Sequence, residues 1–520
     1  MRSVSSPAET PEVPRYHIVD LVLAPPDAPA PGNPFDVPFA AAFWGPEGQA
    51  FAIPGYYDTE TGYVVRFAPT VEGSWRYVVS STASFLDGMS GAVRCAPHDH
   101  PRLHGPLMVD PAYRHHFRYE DGTRCYLVGY EVNWLMMVDQ SPSDLTRIDA
   151  LLDSIQRVGF NMVTVNVYAH HFMRTPERAE DARLVAPDLA PWVGGNDAPD
   201  YSRFDAAFFS HYDRVMLDLL DRGILAHIMI QVYNKHVNWP ELGSPDDDRF
   251  WRYVVARYQA FCNVIWDTAK ESYYQPAEYV WSRIGLIRNQ DGYRRLLTVH
   301  DASVPHWPHS ERNARLYAPN KRLSDAMADF KSDQIHEAWY EDAERNYTAA
   351  QRPYVNIEYG YEQGAYDLPT GWARQDWREV LRRTWLVTMG GAYPNYYFCN
   401  TAWDLFLPTP EPPGYAPHRL YIAFWNETRY WLLAPNPGPL GPDRASGTYC
   451  RAAEGQEYVV LDLTGSGFWL TIAGADAPLA ASWFNPLSGE RVDGGSVGNG
   501  RHRFVPPWGL ENWAVLHVRP

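Results

Sequence analysis

Residues 208–233 read FFSHYDRVMLDLLDRGILAHIMIQVY, and this stretch decides the fold class. Its first part places apolar side chains three and four positions apart, which predicts an amphipathic helix that ends at Gly223. The remainder is an apolar run, typical of a strand that is buried on both faces of a parallel sheet. A helix followed at once by such a strand is the repeating unit of an α/β fold.

The same alternation of helix and strand extends from about residue 125 to residue 401. Helices such as SDLTRIDALLDSIQRVG (143–159) lie between short apolar runs. Eight candidate strands can be counted, at 125–132, 161–168, 224–233, 263–269, 294–300, 326–332, 353–359 and 392–398. Eight such repeats predict a closed parallel (β/α)8 TIM barrel, and a doubly wound sheet is the alternative.

The sequences on either side of this segment alternate with a period of two residues. SWRYVVSS (74–81) and GFWLTIAG (467–474) are examples, separated from their neighbours by Gly, Pro and Asp turns. We therefore expect a β-sandwich domain at each end of the chain. The expected boundaries are 14–97 for the N-terminal sandwich, 98–435 for the barrel with its connectors and a helix at 417–433, and 436–520 for the C-terminal sandwich.

Composition limits the classes of partner. Lys and Arg number 45 against 62 Asp and Glu, and this net charge of −17 disfavours binding to nucleic acid or to an anionic membrane. The five cysteines form no CxxC pair, and the N-terminal residues lack the apolar core of a secretory signal, so we expect a cytoplasmic protein. No cofactor is expected and no metal, because the histidines at 98–104 and 170–171 lack a facing set of ligands. Homo-oligomerisation is left open.

Two carboxylates stand at the ends of predicted barrel strands. Glu271 follows the fourth strand and Glu358 closes the seventh, so both would face one barrel mouth. Glycoside hydrolysis needs such a pair, one carboxyl to protonate the leaving oxygen and one carboxylate to attack or stabilise the anomeric carbon. Strand ends carry carboxylates for other reasons too, which leaves a loop-fixing role open.

Other strand ends offer hydrogen-bonding groups and aromatic faces, which are what a sugar site requires. Each of these residues could equally fix a loop. The candidates for substrate contact are Asn133, Trp134, Asn166, Tyr168, His170, Gln231, Tyr233, Lys270, His300, Asp333, Glu362 and Trp403.

Several of these stretches resemble one known family. VVARYQAFCNVIWDTAKES (254–272) and YVNIEYGYEQG (354–364) are similar to barrel segments of the apiosidase-like glycoside hydrolases. The N-terminal part resembles a sandwich of unknown function that precedes the barrel in many of these enzymes. ASWFNPLSGE (481–490) resembles part of their C-terminal sandwich, which carries the name of a collagen-binding domain. The resemblance covers nearly the whole chain in the family's domain order.

The resemblance implies roles for individual residues. Glu271 stands where the family has its acid/base and Glu358 where it has its nucleophile, while Glu362 would hold the sugar or orient Glu358. Lys270 departs from the family, which usually has Asn before the acid/base. Because Lys is a point charge that accepts no hydrogen bond, we expect Lys270 to recognise an acidic or otherwise unusual glycone.

These observations predict a glycosidase that is retaining and exo-acting. The family's furanosidase members suggest a pentofuranoside substrate, such as an arabinofuranoside or an apioside. Two alternatives remain at this point. One is a non-catalytic carbohydrate-binding protein on the same barrel, and the other is a transglycosylase, in which a sugar hydroxyl replaces water.

Overall fold

Eight parallel strands form the centre of the molecule. The structure is a computed structural model that describes residues 2–4, 10–141, 143–170, 187–301, 327–364, 375–402 and 410–520. The barrel strands are Gly129–Glu131, Met162–Asn166, Leu225–Val232, Val264–Lys270, Leu297–Thr298 continued by His300–Asp301, Lys331–Gln334, Tyr354–Glu358 and Tyr393–Tyr396. Each strand pairs in parallel with the next one, and the eighth pairs with the first through Gly129 and Asn395. The sheet is therefore closed, which confirms the barrel and excludes the doubly wound sheet.

Helices surround this barrel. The longer ones within the described residues are Thr146–Val158, Ala206–Arg222, Pro245–Tyr258, Ala277–Gln290, Trp339–Ala349, Trp377–Met389 and Tyr415–Asn426. The helix Ala206–Arg222 begins after Asp205, whose carboxylate accepts the Phe208 N–H, and it ends at Gly223, which has a φ of 68°. No helix of the described chain is both long and apolar enough to span a membrane.

Several elements begin or end differently from the sequence-based predictions, and the first strand starts at Gly129 instead of 125 and the fifth at Leu297 instead of 294. The sixth strand begins at Lys331 instead of 326, because Asp329 is used in a loop, where its carboxylate accepts the Leu297 N–H at 2.8 Å. The helix expected over 417–433 ends at Asn426. Just beyond that end, the Thr428 hydroxyl donates to the Trp425 carbonyl at 2.7 Å and satisfies one of the helix's terminal acceptors.

A β-sandwich flanks the barrel on each side, as expected. The N-terminal sandwich has one sheet of Glu12–Pro14, Ser90–Ala96, Gly73–Ser81, Phe39–Trp44 and Ala50–Pro54, and a second of Arg2–Val4, Val19–Ala24, Gly62–Phe67 and Tyr56–Asp58. The C-terminal sandwich has a sheet of Ala434–Pro435, Thr448–Ala453, Glu457–Asp462, Ala514–Arg519, Leu479–Phe484 and Arg491–Val497, packed with the hairpin Phe468–Ile472 and Gly500–Phe504. The connector before the barrel contains a hairpin of Leu107–Val109 and Phe117–Tyr119.

A buried network of ion pairs joins the N-terminal sandwich to the barrel. Arg66 of the sandwich contacts Asp20 of the same domain and Asp213 of a barrel helix, each at 2.8 Å. Arg257 of the next barrel helix contacts Asp213 at 2.8 Å and Asp58 of the sandwich at 2.9 Å. Both guanidinium groups are almost fully enclosed, so the two domains share one continuous buried interface.

Candidate active site

Three carboxylates and one ammonium group meet at the carboxyl end of the barrel. Glu131 ends the first strand, Lys270 ends the fourth and Glu358 ends the seventh. The Lys270 Nζ lies 3.2 Å from Glu131 Oε1, 3.2 Å from Glu358 Oε2 and 3.1 Å from the Tyr397 hydroxyl. Glu271 follows Lys270 directly at the end of the fourth strand, and it is the third carboxyl of the group.

Glu358 is surrounded by hydrogen-bond donors. Its Oε1 accepts from the Gln334 amide at 2.9 Å and from the Tyr361 hydroxyl, while its Oε2 accepts from Tyr397 at 3.2 Å. Burial opposes ionisation of this carboxyl, but the charge of Lys270, the neighbouring histidines and the Tyr361 hydrogen bond outweigh it and lower the pKa of Glu358 to about 2. Glu358 is therefore an anion across the physiological pH range.

Glu271 has the opposite electrostatic environment. The chain turns out of the fourth strand at this residue, which has a φ of 59°, a left-handed conformation that is uncommon for a residue with a side chain. Burial and the negative charge of Glu358 raise the pKa of Glu271 to about 7, against the opposing effect of Lys270. Two carboxyls of the same mouth thus differ widely in pKa, one ionised and one able to carry a proton near neutral pH.

Gln334 connects the remaining polar side chains around Glu358. Its Oε1 accepts from the Tyr273 hydroxyl at 3.1 Å and from His300 Nε2 at 3.2 Å, and its amide donates to His336 Nε2 at 2.9 Å. Burial lowers the pKa of His300 and of His336 to about 4, so both rings are neutral at pH 7. These hydrogen bonds fix the orientation of the amide that donates to Glu358.

Several predicted residues lie at the ends of the first and second strands. The Asn166 amide donates to the Asn133 side-chain oxygen at 3.1 Å, and the Asn133 amide donates to the Ala402 carbonyl at 2.8 Å. Lys235 lies over the Trp134 ring, with its Nζ 5.5 Å from the ring centre. Within the described chain, the buried Trp134 Nε1 and Asn166 Oδ1 have no hydrogen-bond partner.

Other predicted residues are not brought into this cluster. Asp333 binds Lys331 at 2.9 Å, and Lys331 in turn donates to Asn346 of the helix Trp339–Ala349, so this pair faces the outer helices. Gln231 accepts from Tyr233 at 2.6 Å and donates to Asp247 of the helix Pro245–Tyr258.

Three further predicted residues have local partners, and one cannot be placed. Glu362 accepts from the Tyr396 hydroxyl at 2.7 Å and from the Gly414 N–H at 2.9 Å. Tyr168 packs edge-on against Phe208, and the His170 N–H donates to the Lys235 carbonyl. Trp403 lies outside the described residues.

The sequence analysis missed Glu131, Gln334, Tyr361 and Tyr397. Glu131 lies next to the last residue of the first predicted strand, 125–132, so its position gave the same signal that singled out Glu358. Gln334 lies two residues beyond the predicted end of the sixth strand, which was placed too early. The tyrosines follow the seventh and eighth strands, and nothing in the sequence distinguishes them from the many other tyrosines of the chain.

The expectation that Lys270 reads an acidic glycone stays a prediction, and the structure shows what its ammonium group contacts inside the protein. An ammonium group has three protons to donate, and in this structure Glu131, Glu358 and Tyr397 take one each. The side chain is 3% exposed, so its charge is compensated inside the protein. Within the part of the chain that the structure describes, no group of three or more His, Cys, Asp or Glu residues could hold a metal ion.

A (β/α)8 barrel whose mouth pairs an ionised carboxylate with a protonatable carboxyl is an arrangement that the class of glycoside hydrolases requires. Residues 112–431 match the family model of the apiosidase-like catalytic domain, and residues 12–82 match a domain of unknown function, DUF5060. No curated protein matches the chain significantly. The chain belongs to the apiosidase-like family, and the protein is a glycosidase.

Solved structures share the fold at low sequence identity. A Bacteroides vulgatus ATCC 8482 protein assigned as a glycoside hydrolase is 20% identical with a TM-score of 0.77, and the match covers 98% of this chain and 100% of that one. A glycoside hydrolase family 5 protein from the same organism is 16% identical with a TM-score of 0.58, over 81% and 94% of the two chains. A further glycoside hydrolase is 15% identical with a TM-score of 0.60, and the match covers 81% of this chain and 98% of that one.

Proposed function

We propose that the protein is a retaining glycosidase in which Glu358 is the nucleophile and Glu271 the acid/base. The observation that carries this proposal is the different surroundings of the two carboxyls: Lys270, with its Nζ 3.2 Å from Glu358, lowers the pKa of Glu358 to about 2, while burial and the charge of Glu358 raise the pKa of Glu271 to about 7. A nucleophile must be ionised and a general acid protonated at the same pH, and this pair meets both conditions between those values. The two family positions that these glutamates occupy support the same roles.

The reaction proceeds in two steps. A Glu358 oxygen attacks the anomeric carbon while Glu271 transfers its proton to the glycosidic oxygen, so the C–O bond breaks and the leaving group departs as an alcohol. The product of this step is a glycosyl ester of Glu358. Glu271, now ionised, takes a proton from water, the water oxygen attacks the anomeric carbon, and Glu358 leaves as the carboxylate.

Glu131 and Lys270 act in this scheme as positioning residues. Lys270 holds the Oε2 of Glu358 at 3.2 Å, and Glu131 holds Lys270 from the other side at the same distance. The Asn395 amide donates to the second oxygen of Glu131 at 3.3 Å, which fixes that carboxylate in turn. Lys270 thereby keeps Glu358 ionised and oriented without contacting the sugar.

The sugar itself is proposed to lie over the ends of the first and second strands. The unpartnered Trp134 indole N–H and Asn166 side-chain oxygen are a buried donor and a buried acceptor, a pattern suited to sugar hydroxyls. The proposed substrate is a pentofuranoside, such as an arabinofuranoside or an apioside, cleaved by exo-action; the family resemblance supports the choice of sugar.

The test is hydrolysis of aryl pyranosides and furanosides of both anomers. Wild-type protein is expected to act on at least one member, with kcat/KM falling above about pH 7 as Glu271 ionises. Glu358→Gln should abolish turnover, and Glu271→Gln should lower it about 10²- to 10⁴-fold and remove the basic limb.

The matched control is Glu341→Gln, an exposed carboxylate in the first turn of an outer helix, which should behave as the wild type. Substrate binding that survives in both site variants without any turnover in the wild type would instead indicate a carbohydrate-binding protein.

A further inference from the structure

A groove runs along the rim of the barrel beside the third and fourth strands. Its volume is about 760 Å³, within the range of small-molecule sites. The side chains that matter for its chemistry are Tyr201, Tyr233, Trp239, Glu241 and Gln275. We call this feature the rim groove.

The rim groove lies on the side of the barrel mouth where the third and fourth strands end. Val232 of the third strand pairs with Lys270 of the fourth. Tyr233 and Glu271 are therefore the first residues after these two neighbouring strands. The chain then makes one short turn after Glu271 and reaches Gln275, whose N–H donates to the Ser272 carbonyl at 3.0 Å. Two of the groove's side chains, Tyr233 and Gln275, therefore stand on the loops that leave the strands beside Glu271.

The aromatic walls of the groove are held rigidly. The Trp239 indole donates to the Val232 carbonyl at 2.7 Å, and the Tyr201 hydroxyl donates to the Asn238 carbonyl at 2.9 Å. The buried Trp192 packs edge-on against both rings, with centre distances of 5.3 Å to Tyr201 and 5.6 Å to Trp239. A ligand would thus meet preformed faces, and little conformational entropy would be lost on binding.

We propose that the rim groove binds the leaving-group part of the substrate, a sugar residue beyond the scissile bond. This inference rests on the proposed function, because the group protonated by Glu271 departs on the side of Glu271. Half-exposed tyrosine and tryptophan rings suit the apolar C–H faces of a sugar, while the Glu241 carboxylate and the Gln275 amide can bind its hydroxyls.

The proposal is consistent with exo-action. One glycone enters the mouth, and the remainder of an oligosaccharide extends along the rim groove. A free monosaccharide glycoside with a very small leaving group would leave the groove empty. The groove would therefore contribute to specificity only for substrates with an extended leaving group.

The experiment compares two substrates that share the glycone found in the panel: its glycosyl fluoride, and the disaccharide with a second sugar as leaving group. Trp239→Ala should lower kcat/KM for the disaccharide by about tenfold or more, and leave kcat/KM for the fluoride within about twofold. Glu241→Gln, an exposed change with less risk to folding, should lower the disaccharide value several-fold and spare the fluoride. Trp44→Ala, an exposed tryptophan of the N-terminal sandwich, is the control and should change neither.

Equal losses on both substrates, or no loss on the disaccharide in either variant, would overturn the rim groove as a leaving-group site. Wild-type protein that hydrolyses neither substrate would contradict the proposed function itself, and the groove's role would fall with it. Hydrolysis of the fluoride alone by the wild type would retain the catalytic assignment and refute the groove proposal.

Discussion

At the scale of single residues, the charge of Lys270 sets the state of Glu358. The ammonium group is enclosed with Glu131 and Glu358, and the two carboxylates raise the pKa of Lys270 against the effect of burial. Two buried carboxylates without that cation would repel each other, and one of them would take up a proton. Lys270 therefore keeps Glu358 ionised from within the protein.

Removal of this charge should be visible in the pH dependence of catalysis. Lys270→Met removes an opposite charge about 3 Å from Glu358, so the pKa of that carboxyl should rise by about 1–3 units from its value near 2. Since the proposed nucleophile must be ionised to attack, the acid limb of kcat/KM should move upward by the same amount. The measurement is kcat/KM from pH 3 to pH 8 on the best aryl glycoside, a range in which the wild type should show no acid limb and the variant should show one.

Lys331→Met provides the matched control, because Lys331 is a buried lysine that pairs with Asp333 on the helix side of the barrel. The acid limb of kcat/KM for Lys331→Met should stay at the wild-type pH. If Lys270→Met instead had a higher KM for an acidic glycone and an unchanged acid limb, Lys270 would be a residue that recognises the glycone.

The position of Lys270 could be predicted from the sequence, but its partners could not. Glu271 and Glu358 follow from the rule that barrel strands end at the active-site mouth. The contact between Lys270 and Glu131 joins residues 139 positions apart, and it depends on how the first, fourth and seventh strands face one another across the barrel. The pattern of residues in a single sequence does not indicate a contact between such distant positions.

At the scale of elements, Glu362 fastens the loop after the seventh strand to its neighbours. Its carboxyl accepts hydrogen bonds from Tyr396 of the eighth strand and from Gly414, just before the helix Tyr415–Asn426. A Cβ atom at Gly414 would lie 1.9 Å from Glu362 Oε2, so a side chain there would displace the carboxyl that joins the two segments. Burial raises the pKa of Glu362 to about 7.

This raised pKa makes the stability of the protein depend on pH. The folded state keeps the Glu362 proton between about pH 4.5 and pH 7 while the unfolded chain loses it, so stability falls as pH rises through this interval. The loss from this one group is about 3 kcal/mol. Glu362→Gln cannot ionise, so its Tm should rise relative to the wild type between pH 5 and pH 8.

Thermal unfolding of both proteins at pH 5, 6, 7 and 8 measures this difference, with Glu341→Gln expected to follow the wild type throughout. A Tm difference between Glu362→Gln and the wild type that stays constant over this range would show that Glu362 does not titrate there.

Most elements could be predicted from the sequence because their patterns are local. Apolar periodicity and terminal residues such as Asp205 and Gly223 fix a helix within its own sequence. The start of the sixth strand was misplaced because Asp329 forms its hydrogen bond to the fifth strand, a contact with a distant segment. Glu362 was expected to hold the sugar or orient Glu358, and its hydrogen bond to Gly414, 52 residues away, could not be predicted for a similar reason.

At the scale of the whole molecule, the N-terminal sandwich and the barrel share buried charges. Arg66 is enclosed between Asp20 of its own domain and Asp213 of the barrel, and Arg257 extends the network to Asp58. Burial and the two arginines act in opposite directions on Asp213, and the arginines prevail, so its pKa lies well below the ordinary range. Neither domain could expose its half of this network without leaving charges unpaired.

Loss of one arginine should therefore destabilise the protein strongly. Arg66→Met leaves Asp20 and Asp213 with fewer partners in a buried interface, and we expect a loss of about 3–5 kcal/mol in the free energy of unfolding. Arg94→Met is the matched control within the same sandwich, since Arg94 is 69% exposed and pairs with Glu12, which is 54% exposed. That change should cost less than about 1 kcal/mol.

Urea denaturation of the two variants gives both values. If Arg66→Met were no more destabilising than Arg94→Met, the buried network would not be what holds the sandwich to the barrel.

The measurement that tests the central claim most directly is the anomeric configuration of the first product. Wild-type protein is mixed with the best aryl glycoside in an NMR tube, and the anomeric proton of the released sugar is recorded before mutarotation. Nucleophilic attack by Glu358 followed by attack of water inverts the anomeric carbon twice, so the product should carry the anomer of the substrate. A product of the opposite anomer would contradict the role of Glu358 as nucleophile and would assign it to a base that activates water.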